Sequence, residues 1–247
     1  MTLYMIGIGL NNEKDISING LEAVKNSDVI YLENYTSKLQ CSKEDLEKFY
    51  GKKIITATRQ IVEAMAETTI LKEAKTKNVA FLVVGDVFGA TTHIDLLLRA
   101  KKLGINVRVI HNASILNAVG IVGLELYKYG KTTSIPFENR NVTTPIEVLK
   151  NNQMIGLHTL FLLDLDPDAN RFMTVNEALD YLTKNGVEKN TLCIGCAALG
   201  SEEQEIRVGT AKELATEKFK KYPQCLIIPG RLHFVEEDAL KQWSPVV

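Results

Sequence analysis

From residue 79 the chain reads Val79-Ala80-Phe81-Leu82-Val83-Val84-Gly85-Asp86-Val87-Phe88-Gly89-Ala90-Thr91-Thr92-His93. Its first six residues are a continuous apolar run, which is typical of a strand buried on both faces of a parallel sheet. Apolar residues at helical spacing follow over 92–103, and Gly104 marks the end of that helix. The stretch therefore predicts a strand, a loop and a helix in succession, which is the repeating unit of an α/β protein.

The same alternation extends to both sides of this stretch through the first half of the chain. Further strands are predicted at 3–6, 29–32, 54–57 and 107–110. Helices are predicted at 20–27, at 60–77, and between a capping box at Ser42 and the stop at Gly51. Strands that alternate with helices predict a mostly parallel sheet covered by helices.

The second half shows a different order of elements. A helix is predicted at 115–127, and capping patterns announce helices near residues 144 and 174. Strands are predicted at 133–137, 158–163, 191–197, 206–210 and 225–228. Several of these strands follow one another closely, so a mixed sheet with some antiparallel pairs is expected. We predict two α/β domains, 1–112 and 113–247.

Composition and charge exclude several classes of protein. Hydrophobic residues make up 45% and charged residues 24%, as in an ordinary globular protein. The net charge of −1 argues against a nucleic-acid binder. No apolar run approaches the roughly 20 residues of a membrane helix. The first residues, Met-Thr-Leu-Tyr-Met-Ile-Gly, lack the pattern of a signal peptide. We therefore expect a cytoplasmic protein that binds neither nucleic acid nor membrane.

The cysteines and histidines do not indicate a metal site. Cys193 and Cys196 have the C-x-x-C spacing, but they lie in a predicted strand. Residues three apart on a strand point to opposite faces, so the two thiols are expected to be buried apolar groups. The four histidines are far apart in sequence, and no metal-binding, Walker or nucleophile-elbow motif occurs.

Three loops follow predicted parallel strands, at the edge where α/β proteins bind ligands. They are Gly7-Ile8-Gly9-Leu10, the loop at 85–93, and His111-Asn112-Ala113-Ser114-Ile115. The first loop partly matches a dinucleotide-binding turn, with Glu33 in the place of the ribose-binding acid. Asn12 stands where that motif has its third glycine, so a nicotinamide site is weakly indicated.

Each loop also has a purely structural interpretation. Gly7 and Gly9 would then form a plain tight turn, and Thr91, Thr92 or Ser114 would cap the helix that follows it. The residues by themselves predict a small-molecule site at the strand ends, and they do not define a reaction.

Motifs at these loops and elsewhere resemble those of one family. The most specific are Gly-Asp-x-Phe-Gly-Ala-Thr-Thr-His at 85–93 and His-Asn-Ala-Ser-Ile at 111–115. Other matching stretches are 3–10, 31–37, 79–84, 108–110, 126–130, 158–160, 172–174 and 229–233. Over nearly its whole length the sequence resembles the diphthine synthases, which belong to the tetrapyrrole (corrin/porphyrin) methylase superfamily.

The resemblance implies a fold and an activity. The fold would be two α/β domains with S-adenosylmethionine in the cleft between them, and the protein would be a homodimer. The acceptor would be a histidine of elongation factor 2 that carries a 3-amino-3-carboxypropyl group. Its amine would be methylated repeatedly, and methyl ester formation on its carboxylate is expected as well. The alternatives are a nicotinamide- or nucleotide-binding α/β protein, and a methylase of the same fold that acts on a tetrapyrrole.

The resemblance also implies cofactor contacts at numbered positions. These are Leu10, Asp86, Gly89, Ser114, Ile115, Leu163, Leu199 and His233. Leu199 is chosen from the four residues 197–200. Methyl transfer from a sulfonium needs alignment more than covalent chemistry, so no metal, no catalytic nucleophile and no single indispensable general base are expected.

The sequence departs from the family pattern at three places. Val87 replaces the proline that usually follows the loop acid in the superfamily, and the residues at 138–142 replace a stretch that commonly contains tryptophan. The segment after Asp164 is short. The last two departures bear on how the protein acceptor docks, whereas Val87 should leave the Asp86 carboxylate in place. The number of transferred methyl groups stays open between three and four, and the motifs favour four, including the ester.

Overall fold

The computed structural model describes residues 1–243. Contacts divide the chain into two compact units, Met1–Asn117 and a second unit that begins at Ala118. The sequence prediction had placed the domain boundary after residue 112. Each unit contains a five-stranded sheet flanked by helices, which confirms the predicted α/β class.

The sheet of the first unit is entirely parallel. Its strands are β1 (Thr2–Gly7), β2 (Val29–Glu33), β3 (Ile55–Ala57), β4 (Val79–Val83) and β5 (Asn106–Ile110), in the spatial order β3-β2-β4-β1-β5. Every residue of β4 is buried, as its unbroken apolar sequence predicts. Because all strands run the same way, their carboxyl ends lie at one edge of the sheet.

Helices cover both faces of this sheet. They are α1 (Ile18–Lys25), α2 (Lys43–Tyr50), α3 (Ile70–Ala74) and α4 (Ile94–Lys102). On one face Leu46 of α2 packs with Ile30 and Leu82, and on the other Leu96 of α4 packs with Phe81. Helix α2 begins at the Ser42 capping box and ends at the left-handed Gly51, as the sequence predicts.

The helix predicted at 60–77 is wrong as a continuous element. The chain forms a π-helical turn at Gln60–Ala64, a 3₁₀ turn at Ala66–Thr68 and the short α3. The hydroxyls of Thr68 and Thr69 both donate to the carbonyl of Met65, at 3.0 and 2.7 Å. Threonine hydroxyls that bond the local backbone in this way compete with helix continuation.

The sheet of the second unit is mixed. Its strands are β6 (Thr133–Ile135), β7 (Thr159–Leu163), β10 (Leu192–Ala197), β11 (Glu205–Thr210) and β12 (Gln224–Ile228), in the order β11-β10-β12-β7-β6. Only the β6–β7 pair is parallel within this sheet, and the other three pairs confirm the expected antiparallel pairing. A two-stranded hairpin, β8 (Leu165–Asp166) and β9 (Arg171–Phe172), follows β7.

The helices of the second unit are α6 (Thr144–Met154), α7 (Val175–Lys184), α8 (Ala211–Leu214) and α9 (Phe234–Lys241). The predicted capping box at Thr174 is present. The helix predicted at 115–127 is wrong, because α5 covers only Ile115–Ala118 and passes into short 3₁₀ turns. Gly123 adopts φ +98° there, and a Cβ at this position would collide with Ala239. Within residues 1–243, no helix has the length and apolar character that crossing a membrane requires.

Candidate functional site

The three loops predicted to bind a ligand meet at the carboxyl edge of the first sheet. The loops after β1 and β4 are joined by a bridge between Gly9 and Gly85, whose amides and carbonyls bond reciprocally at 3.2 and 2.7 Å. The loop after β5 joins them through Asn112, whose side chain donates to the carbonyl of Gly7 at 3.0 Å. The predicted convergence of these loops is therefore present within the first unit.

Glycines allow this close approach. A Cβ at Gly7 would lie 2.6 Å from the carbonyl oxygen of Gly85 and 3.0 Å from Cβ of Asn112. β1 lies between β4 and β5 in the sheet, so the absence of a side chain at Gly7 lets the loops of its two neighbours meet above its end. A Cβ at Gly89 would lie 2.7 Å from both Cβ and Oγ of Ser114.

Gly85 is buried where the three loops meet. Its φ is +81°, and an added Cβ would lie 3.7 Å from atoms of Leu10, Ala113 and Ser114, which is ordinary van der Waals contact. The loops after β1 and β5 therefore pack against the loop after β4 at this glycine.

Asp86 holds two of the loops together. Its Oδ2 accepts from the amide of Phe88 at 3.0 Å, and its Oδ1 accepts from the amide of Asn112 at 3.0 Å. Oδ1 also lies 2.9 Å from Nδ1 of His111. Partial burial opposes ionisation of Asp86, but these hydrogen bonds outweigh it and hold the pKa of the carboxyl below its usual value. The carboxylate therefore organises the loops, and His111 is a partner that sequence reasoning missed.

Ser114 and Ile115 lie where the loop after β5 passes into the short helix that begins at Ile115. Ser114 is buried, and its Oγ accepts from the amide of Leu116 at 3.2 Å. The predicted capping role of Ser114 is thus present alongside its contact with Gly89. Four of the predicted contact residues therefore lie together at this edge of the sheet: Leu10, Asp86, Gly89 and Ser114.

Glu33 does not offer a free carboxylate for a ribose. Its side chain is fully buried and accepts from the amides of Tyr35 and Thr36, at 2.7 and 2.5 Å, and from the Thr36 hydroxyl at 2.7 Å. Burial raises the pKa of Glu33, which the hydrogen bonds and the charge of Arg59 oppose only in part. These contacts weigh against the nicotinamide alternative.

His93 supports the same loop from within the protein. Because a carbonyl oxygen can only accept, the 3.3 Å contact between Nδ1 and the Val87 carbonyl assigns a proton to Nδ1. Nε2 is then free to accept from the Tyr35 hydroxyl at 3.4 Å. His93 is buried and packs edge-on against the Phe81 ring, so it is a structural residue of this loop.

In the second unit, Leu163 and Leu199 lie at the same edge of the sheet. β7 and β10 are both antiparallel to β12, so they run in the same direction. Leu163 ends β7, and Leu199 follows β10 after a left-handed residue, Ala198, with φ +48°. Both leucines are nearly buried.

His233 lies at the opposite end of β7. Ile228, the last residue of β12, pairs with Thr159, the first residue of β7. The turn that leads to His233 is bound there, since the amide of Gly230 donates to Nδ1 of His158 at 3.0 Å. Four residue steps separate the two ends of β7, or roughly 13 Å. Within this unit, only an extended ligand could contact both His233 and Leu163.

A buried acid that sequence reasoning missed anchors this turn. Glu236 accepts from Lys128, from Nε2 of His158 at 2.9 Å, and from the amides of Glu125 and His233 at 3.0 and 2.8 Å. Burial opposes the ionisation of Glu236, but these donors outweigh it and lower its pKa to about 2. His233 is the N-cap of α9, so the Glu236 carboxylate fixes its backbone.

The cysteines occupy the positions expected of apolar residues. Cys193, Cys196 and Cys225 are buried and free, and Cys196 faces Cys225 across the β10–β12 pair. Burial raises the pKa of the Cys193 thiol to about 12. Among residues 1–243, no group of three or more His, Cys, Asp or Glu side chains is arranged to hold a metal ion.

This combination of α/β units and strand-end loops defines a known class of enzyme. The chain belongs to the Tetrapyrrole (Corrin/Porphyrin) Methylases, whose family model matches residues 2–215. It is therefore a methyltransferase, as the sequence predicts.

Within that family the chain is similar to diphthine synthases and diphthine methyl ester synthases. The chain is 46% identical to diphthine methyl ester synthase of Dictyostelium discoideum, over 96% of each protein. It is 44% identical to diphthine synthase of Methanosarcina barkeri (strain Fusaro / DSM 804), over 96% of this chain and 94% of the relative. A solved structure of diphthine synthase matches with a TM-score of 0.93 and 36% identity, covering 99% of this chain and 97% of that one.

Proposed function

We propose that the protein is an S-adenosylmethionine-dependent methyltransferase that methylates the 3-amino-3-carboxypropyl-histidine of elongation factor 2. The observation on which this rests is the near full-length similarity to diphthine synthases and diphthine methyl ester synthases. Repeated methylation of the amine, followed by methyl ester formation on the carboxylate, is part of the proposal. A homodimer in the cytoplasm is the form in which we expect it to act.

The loops of the first unit fit one part of the cofactor. An adenosyl or methionyl group would bind where these loops meet, at the carboxyl edge of the parallel sheet. Leu10 would supply an apolar wall, and Asp86 would keep the loops in place. Gly89 with the Ser114–Ile115 pair would form the opposite side. Leu163, Leu199 and His233 are the contacts proposed from the second unit.

When bound, S-adenosylmethionine supplies a methyl group that is already activated by the positive sulfur. The task of the protein is to align the acceptor with that methyl group and to exclude water. Such positioning can supply on the order of 7–11 kcal/mol toward the barrier. The loops approach one another closely at Gly7 and Gly89, where a Cβ would collide with a neighbouring loop, and this close packing supports their proposed role in alignment.

Cofactor binding can be tested by calorimetry with S-adenosylhomocysteine. Wild type should bind it and show a higher melting temperature in its presence, whereas NAD should produce no shift. The Asp86→Ala variant should bind more weakly, because two loop amides lose their acceptor. Asp180→Ala is the matched control, since Asp180 is exposed and pairs with Lys184 on the helix surface. Equal affinity in wild type and Asp86→Ala would show that the Asp86 assignment is wrong.

The acceptor can be tested with elongation factor 2 purified from cells that lack this enzyme. Mass spectrometry after incubation with protein and S-adenosylmethionine should find up to four added methyl groups on one modified histidine. A product with three added methyl groups would remove the ester step from the proposal. No addition, together with methylation of a tetrapyrrole, would favour the alternative acceptor within this family.

A further inference from the structure

We propose that the imidazole of His111 accepts the proton that the acceptor amine must lose, and that Asp86 holds this imidazole in the required tautomer. The inference rests on the proposed function, because a proton is released only when the acceptor is an amine. His111 is a catalytic residue in this proposal, and Asp86 is a positioning residue.

The geometry of the pair determines which nitrogen is free. Nδ1 of His111 lies 2.9 Å from Oδ1 of Asp86. An ionised carboxylate can only accept hydrogen bonds, and three donors hold Asp86 ionised. Nδ1 therefore carries the proton, and the lone pair of the neutral ring lies on Nε2. This is the arrangement by which an aspartate orients a catalytic histidine in other enzymes.

Nε2 is accessible and uncommitted. The His111 side chain is 69% exposed, against 15% for Asp86. Among the contacts of residues 1–243, the ring has the hydrogen bond to Asp86 and an edge-on contact with Phe88, with centroids 6.1 Å apart. Asp86 is the one titratable group that these contacts place against the ring. Nε2 of this exposed imidazole therefore has no hydrogen-bond partner among these contacts.

The location of the pair suits an acceptor-side role. Asp86 follows β4 and His111 follows β5, and the two meet above the end of β1 because Gly7 has no side chain there. The pair lies in the same two loops as Gly89 and Ser114, which are proposed cofactor contacts. An acceptor aligned with a cofactor at these loops would approach them, and His111 is the exposed member of the pair.

The chemistry needs a proton acceptor at each amine step. An alkyl ammonium has no lone pair, so its N–H bond must break before nitrogen can attack carbon. Nε2 takes that proton and becomes an imidazolium stabilised by Asp86, while the electron pair stays on the amine nitrogen. After methyl transfer the imidazolium returns its proton to water, and the ring is ready for the next step. Methylation of the carboxylate releases no proton and does not need His111.

The tautomer can be tested without any turnover. The protein is labelled with ¹⁵N-histidine, and long-range ¹H–¹⁵N spectra are recorded at a pH where the ring is neutral. For His111 they should show a protonated Nδ1 and an unprotonated Nε2. Loss of the signal in His111→Gln assigns it. Asp86→Asn should shift the ring toward the Nε2–H form, because the carboxylate that holds the Nδ1 proton is gone. A wild-type ring with its proton on Nε2 would overturn the proposal.

The proton transfer can be tested by single-turnover methylation of unmodified acceptor at saturating cofactor. At pH 7 the rate of the first amine step in His111→Gln should fall about 100-fold, the lower end of a general base's contribution. The deficit should shrink about tenfold for each pH unit as solvent deprotonates the amine. The affinity of this variant for S-adenosylhomocysteine should stay within about twofold of wild type, as expected if the ring does not hold the cofactor.

The outcomes separate the two proposals. If wild type transfers no methyl group to elongation factor 2, the proposed function fails, and the spectra still decide the tautomer. If wild type is active and His111→Gln has the same rate and pH profile, the role of His111 is wrong. A rate deficit that is constant with pH, or that is explained by lost cofactor affinity, also contradicts proton transfer.

Discussion

Nε2 of His158 donates to Oε1 of Glu236 over 2.9 Å, and both side chains are fully buried. The direction of this bond is fixed, because Nδ1 of His158 already accepts from the amide of Gly230. The ring is therefore neutral, and Lys128 supplies the positive charge that balances the acid. Together these residues hold the turn from Gly230 to His233, where one proposed cofactor contact lies.

Replacing Glu236 with Gln should lower the free energy of unfolding by about 3 kcal/mol, since it leaves the Lys128 ammonium without its buried partner. The exposed neighbour Glu237 offers a matched control, and Glu237→Gln should change stability by less than about 0.5 kcal/mol. Urea unfolding at pH 7 measures both. Identical midpoints for wild type and Glu236→Gln would contradict the interpretation.

The stability that Glu236 contributes should depend on pH in a defined direction. Its folded pKa of about 2 lies below the ordinary value near 4.3, so the unfolded chain binds the proton first. The contribution is complete above the unfolded pKa and is lost as pH falls through the folded one. The difference between wild type and Glu236→Gln should therefore shrink between about pH 4.3 and pH 2.

His93 should make the protein less stable in mild acid. Burial lowers the pKa of this imidazole to about 4, against an ordinary value near 6.5. Between these values the unfolded chain binds a proton that the folded chain excludes, so stability falls as pH drops, by about 3 kcal/mol over the window. His93→Gln should remove this part of the pH dependence in urea titrations at pH 7 and pH 4.5. The same slope in both proteins would show that His93 is not the group responsible.

Much of the fold could be predicted because the local preferences of the sequence agree with the way the helices and strands pack. The apolar run of β4, the capping boxes at Ser42 and Thr174 and the stop at Gly51 each state a local preference that the structure keeps. The failures occurred where local features interrupt regular helical backbone. The hydroxyls of Thr68 and Thr69 interrupt one predicted helix, and the left-handed Gly123, with φ +98°, lies within the other.

The candidate site divides in the same way. The loops after β1, β4 and β5 could be placed together because parallel strands end at one edge. Asp86 and His111 form a pair only because Gly7 permits the approach, and that is a property of packing rather than of sequence spacing. The sequence pattern did not indicate Glu236 as a site residue, because its partners Lys128 and His158 lie about eighty or more residues away along the chain.

The buried thiols should be unreactive in the folded protein. Desolvation raises the pKa of Cys193 to about 12, and Cys196 and Cys225 are buried beside it in the sheet. The thiolate is the reactive form, so a thiol reagent at pH 8 should modify these three residues only after unfolding. Cys41 is half-buried and serves as the internal comparison. Rapid labelling of Cys193 in native protein, read by peptide mass spectrometry, would contradict the packing described for β10.

Gly89 should be sensitive to the smallest possible side chain. A Cβ there would lie 2.7 Å from Ser114, so Gly89→Ala must push apart the two loops that carry these proposed cofactor contacts. Overpacking of this kind costs about 1–3 kcal/mol of stability. If cofactor binds at these loops, affinity for S-adenosylhomocysteine should fall at least about tenfold, which corresponds to 1.4 kcal/mol of binding free energy.

Gly209→Ala is the control for a glycine-to-alanine change elsewhere in the chain. Its Cβ would lie 3.2 Å from Oε2 of Glu213 and 3.5 Å or more from its other neighbours, so no contact is as short as the 2.7 Å at Gly89, and this variant should bind S-adenosylhomocysteine as wild type does. Calorimetry on the three proteins at one temperature makes the comparison, and urea unfolding confirms that each is folded. Full affinity in a folded Gly89→Ala protein would place the cofactor away from the Gly89–Ser114 contact. Loss of affinity in Gly89→Ala alone would locate part of the binding site at that contact.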